Sequence, residues 1–128
     1  MTYIPAVLLT VGIAILSLAE STQMPTVSLN DKLVHGLMYT LLAVLWMIPV
    51  AKLTITNHQS PITNYAVVLL GTTAYGALLE LLQHYCTLTR SGEWLDVLAD
   101  FIGALIGVAI IAIISIVQSF NRQSSNRQ

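Results

Sequence analysis

"LDVLADFIGALIGVAIIAIISIV", residues 95–117, carries two acids near its start and then no charged side chain until Arg122. A helix of about 20 residues, rising 1.5 Å per residue, crosses the ~30 Å hydrocarbon core of a bilayer. The run has the length of such a helix. It lacks the strict apolar–polar alternation of a barrel strand. A helix is the remaining form that satisfies its own backbone in lipid.

Three further blocks read the same way: "YIPAVLLTVGIAILSLA" (3–19), "LVHGLMYTLLAVLWMIPVA" (33–51) and "NYAVVLLGTTAYGALLELL" (64–82). The chain is 55% hydrophobic and 9% charged, with a mean hydropathy of +0.77. Soluble domains carry about 25% charged residues. The fold class that follows is all-α: a polytopic membrane protein, a bundle of four transmembrane helices over residues 1–117, with a polar, frayed tail at 118–128. The sequence Ser17-Leu18-Ala19 looks like a signal-peptide cleavage site, but no Lys or Arg precedes the first apolar run, so that block reads as a true span.

The formal net charge of −1 and the lack of an aromatic–basic groove give no reason to expect nucleic acid. The single cysteine, Cys86, excludes an intramolecular disulfide. No P-loop, Gly-rich phosphate cradle or nucleophile elbow is present, and Ser91 has no context marking it as a nucleophile. No cofactor is implied.

With four spans, both termini and the 52–63 loop share a side. Lys52, Arg122 and Arg127 lie there, against Lys32 and Arg90 on the other. The positive-inside rule then favours an N-in, C-in protein of the bacterial cytoplasmic (inner) membrane. Lys32 and Arg90 adjoin acids, which weakens their topogenic pull and favours the same orientation.

The start of the second span, the end of the third and the start of the fourth meet at one membrane face, and polar residues concentrate there. Asp31, His35 and Tyr39 are spaced i, i+4, i+8 and share one helical face. Glu80, Gln83 and His84 lie at i, i+3, i+4. Asp96 and Asp100 are one turn apart, with Gly103 and Gly107 continuing their stripe. A carboxylate facing hydrocarbon costs roughly 2.5–3.5 kcal/mol at mid-span and less near the interface. These groups are therefore expected to face one another and Arg90, closing a polar pocket under the 85–94 loop. Gly103-x-x-x-Gly107 reads as a helix-packing device. Met38, Met47, Trp46 and Tyr3 read as core or interface residues, and Glu20, Lys52 and Glu93 as solvated. The plain alternative is a buried ion-pair network that locks the helices together without chemistry.

"DKLVHGLMYTLLAVL" (31–45) resembles the second-helix motif of VanZ-like membrane proteins. "YGALLELLQHYCTLTRSGEWLDVLADFIGALIG" (75–107) resembles the second half of that family's signature. The residues that carry the resemblance are Asp31, Lys32, His35, Tyr39, Glu80, Gln83, Arg90, Asp96, Gly103 and Gly107. Two departures stand out: Asp100 where the family usually has Asn, and no Pro before Arg90. The resemblance implies a cell-envelope role and a link to teicoplanin (antibiotic) resistance, without a defined reaction.

Three function classes fit. In the first, the pocket binds a membrane lipid or lipid-linked head group, Arg90 and Lys32 meeting phosphate. The second is an enzyme with His35 or Glu80 as general base and Arg90 opposite developing charge. The third is an accessory protein packed against other membrane subunits through its glycine stripe and first helix. A metal version using Glu80, His84 and Asp96 ranks below these, because no two histidines share a helical face; no metal site is expected.

Overall fold

The computed structural model describes residues 3–19, 29–57, 60–86 and 93–125, with the side chains of 29, 30 and 52–57 left outside the description. Every element among them is a helix: α1 (Ile4–Leu18), α2 (Leu29–Asn57), α3 (Pro61–Cys86) and α4 (Trp94–Ser125). Asp31–Ala51 of α2, all of α3 and all of α4 are long and apolar enough to cross a membrane. α1 is shorter, 15 residues, or about 22 Å of rise.

Local sequence sets the helix starts. Pro5 stands in the first turn of α1, where its missing N–H costs nothing. Ser60 precedes α3, its Oγ accepting the Ile62 amide at 3.3 Å and its carbonyl the Thr63 amide. The α4 end differs from the expected frayed tail: the helix runs on to Ser125. No Pro or Gly interrupts residues 118–125, and Ser119 and Ser124 bond back to the carbonyls of Ser115 and Asn121. Polarity ends the apolar span there but does not end a helix.

α2 and α3 form the middle of the bundle. α4 packs on both from one side, and α1 touches both from the other, without contacting α4 among the described residues. Two apolar cores result. Ala43, Met47, Val68, Ala104 and Val108 join α2, α3 and α4; Ile13, Tyr39, Leu42 and Leu79 join α1, α2 and α3. Leu8, Leu37, Leu70 and Ile113 stay more than 60% exposed. An apolar surface this extensive does not suit water and does suit acyl chains.

α2 and α4 meet backbone to backbone. Gly103 sits against the Gly36 backbone, and a Cβ added at Gly107 would lie 2.5 Å from the Thr40 carbonyl oxygen. Thr40 Oγ1 donates within hydrogen-bonding distance of both the Gly36 carbonyl (2.8 Å) and the Gly103 carbonyl (2.9 Å). Small residues here bring two backbones together where lipid offers no hydrophobic drive. This contact sets the register that places the acids of α4 beside the first turns of α2.

Candidate functional site: a carboxylate-rich cluster at one end of the bundle

The first turns of α2 point Lys32 and His35 toward α4. Lys32 Nζ donates to Asp96 Oδ1 at 2.6 Å and to Glu93 Oε2 at 3.1 Å. One turn deeper, His35 Nδ1 lies 2.9 Å from Asp100 Oδ1. With a carboxylate as acceptor, Nδ1 is the nitrogen that carries the proton. Asp100 is 1% exposed. Its other oxygen faces Gly76 of α3, where a Cβ would come within 2.5 Å of it. The Tyr39 hydroxyl faces the same position, 3.1 Å from where a Gly76 Cβ would lie. Gly76 thus leaves the slot that a buried carboxylate occupies between three helices.

Glu80 comes from α3, one turn beyond Gly76. Its Oε2 accepts the Glu93 amide at 2.9 Å, a backbone donor at the start of α4. An acid is favourable at such an end because the first N–H groups of a helix have no partner within it and the helix dipole is positive there. Glu80 is buried, so this bond also meets the need of a desolvated carboxylate.

Asp31, Lys32, His35, Tyr39, Glu80, Asp96 and Asp100 therefore gather at one end of α2, α3 and α4. Two candidates sit at the margin of this group. Gln83 is turned to α1, its Nε2 donating to the Ser17 carbonyl at 2.8 Å. His84 is exposed, its ring edge against Tyr85. Arg90 lies outside the described residues. Gly103 and Gly107 lie below the cluster, in the α2–α4 contact.

Two participants escape a reading of the sequence alone. Glu93 reads as solvated but is an ion-pair partner of Lys32, its side chain 28% exposed; its spacing of three residues ahead of Asp96 already puts both on one face. Gly76 stands one turn before Glu80 on the same face, and only the slot beside Asp100 reveals its purpose.

Beside the cluster, a cavity of about 340 Å³ opens between α3 and α4, lined by Glu80, His84, Glu93, Trp94 and apolar neighbours. A polar recess rimmed by an exposed Trp suits the headgroup level of a bilayer. Deeper, a cavity of about 340 Å³ between α1, α2 and α3 is almost wholly apolar, lined by Leu42, Trp46, Val68, Gly71 and Tyr75 among others.

A family model described as VanZ/LLP1 matches residues 8–115, a range that takes in every described residue of the cluster. Comparison with curated proteins and with solved structures finds no match.

Proposed function

The chain belongs to the VanZ/LLP1 family, and we propose that it binds the polar head of an envelope lipid or lipid-linked precursor at the cluster of α2, α3 and α4. The observation that supports this most is the recess between α3 and α4, where Glu80 and Glu93 meet an interfacial Trp94. Buried carboxylates accept hydrogen bonds from the hydroxyl or amino groups of a head group. Lys32 and Arg90 supply the charge that meets its phosphate. The apolar flanks of the helices carry the acyl chains. The cluster faces away from the cytoplasm, with both termini inside, as the charge bias of the loops favours. A bacterial protein of this kind acts on the envelope side of the cytoplasmic membrane, where a contribution to teicoplanin resistance is expected.

A second reading has its own support. His35 backed by the buried Asp100 has the form of an oriented general base, with Nε2 left for a substrate proton. On that reading the head group is a substrate.

The test is lipid retention by the purified, full-length protein in mild detergent, followed by native mass spectrometry. Wild type should retain phosphate-bearing envelope lipids over a neutral glycolipid of equal chain length. Arg90→Gln should lose that preference. Equal retention of charged and neutral lipids by both proteins would contradict the reading.

A further inference from the structure

The charge of the cluster is one-sided. Asp31, Glu80, Glu93, Asp96 and Asp100 bring carboxylates, while Lys32, itself held by two of them, is the described lysine or arginine that meets them. Within this group Asp31, His35 and Asp96 each offer one ligand atom, and these atoms lie within 4.8 Å of one another. Donors around a first-row ion, at about 2.1 Å from it, sit roughly 3 Å apart, so side-chain rotations of an ångström or so close the set.

Two observations separate this group from an ordinary acidic surface. The first is the second carboxylate behind the histidine. Asp100, fully buried, fixes the His35 ring through Nδ1 and leaves Nε2 as the nitrogen with a lone pair to give. A carboxylate behind the imidazole is the arrangement that orients metal-binding histidines and raises their basicity. The second is what the remaining donors lack. Among the described residues, neither the Asp31 carboxylate nor His35 Nε2 has a hydrogen-bond partner, although both are only partly exposed.

We propose that Asp31, His35 Nε2 and Asp96 bind one divalent transition-metal ion, with Asp100 as the positioning residue behind His35. One imidazole with two carboxylates suits Mn²⁺, Fe²⁺ or Zn²⁺ over Ca²⁺, which takes oxygen ligands only. Asp31 and His35 are one turn apart on α2, and Asp96 arrives from α4, so the pairing is invisible to spacing along the chain. Lys32 is the competitor: its ammonium holds Asp96 Oδ1 at 2.6 Å. It shifts toward Glu93 when the ion enters. The ion would also give an acid-rich site a positive centre for a phosphate, but its binding does not depend on the lipid reading, and the probe is the metal alone.

The experiment takes the full-length protein in detergent, stripped with a chelator and titrated with Mn²⁺. Free Mn²⁺ is read by electron paramagnetic resonance, and bound Mn²⁺ by its nitrogen modulation. Wild type should bind one ion per chain, with imidazole nitrogen coupling. Asp31→Asn should weaken binding at least tenfold. His35→Gln should abolish the nitrogen coupling, and Lys32→Gln should tighten binding by removing the competing ammonium. Asp31→Asn removes no hydrogen bond found among the described residues and should elute and melt like wild type, so it decides the matter even if His35→Gln fails to fold. No saturable ion, an ion without nitrogen coupling, or binding unchanged in Asp31→Asn would each overturn the proposal. Lipid retention measured in chelator reads the head-group proposal separately.

Discussion

Gly103→Ala tests the contact on which the whole cluster is registered. The added methyl would lie 2.8 Å from the Gly36 carbonyl carbon and 2.9 Å from its Cα, with the carbonyl oxygen nearer still. Carbon atoms pack best at about 3.5–4.0 Å, so α2 and α4 must part by roughly 1 Å. Backbone, not a flexible side chain, has to give way. Overpacking of this kind costs about 1–3 kcal/mol. Stretching the Thr40–Gly103 bond of 2.9 Å adds ~0.6–1.7 kcal/mol at most, the range for such bonds between membrane helices. Alanine's better helix propensity returns up to about 1 kcal/mol. The net expectation is a loss of roughly 1–3 kcal/mol. Gly12→Ala isolates the propensity effect, because nothing lies within 4 Å of a Cβ there; it should be neutral or stabilising. Both are measured by reversible denaturation of the full-length protein in micelles. Equal stability of the two variants would refute the close α2–α4 contact.

Other perturbations probe the cluster and its orientation. Asp100→Ala strips a buried partner from His35 and should cost about 3–5 kcal/mol. Asp100→Asn keeps an acceptor oxygen for Nδ1 and should cost far less in the same melt; equal losses would show that the hydrogen bond contributes little. Arg90→Ala should lower stability or ligand retention more than Arg127→Ala, and indistinguishable behaviour would remove Arg90 from the site. In a Cys86→Ser background, Ser91→Cys should react with a membrane-impermeant maleimide on intact cells whose outer membrane, if present, is opened. Ser125→Cys should react only after lysis. The opposite labelling pattern would place the cluster on the cytoplasmic side.

The helices were legible because a lipid-crossing segment must be apolar almost without interruption, and residues 95–117 show that directly. Their ends were less so. α4 continues to Ser125 because polar residues such as Gln118 and Arg122 end an apolar run without breaking helical hydrogen bonds. The polar stripes of the site were legible for the same energetic reason, since carboxylates avoid lipid. Periodicity fixes the face of one helix, however, and not the neighbour that this face meets. Gln83 shares a stripe with Glu80 yet bonds to the Ser17 carbonyl of α1. Glu93 reads as solvated because it precedes the apolar run, yet the approach of α2 brings Lys32 to it at 3.1 Å. The slot at Gly76 exists only once Asp100 enters from α4.

The central claim is that the cluster is a binding site and not only a lock between helices. The most direct measurement records retained lipid and melting temperature together on Asp31→Asn, in the presence of chelator. The Asp31 carboxylate has no hydrogen-bond partner among the described residues, so a surface-type change within about ±0.5 kcal/mol is expected for stability. A binding site predicts that lipid retention falls while the melt stays at the wild-type temperature. Lipid retention equal to wild type, or a loss of lipid that merely follows a loss of stability, would contradict the claim.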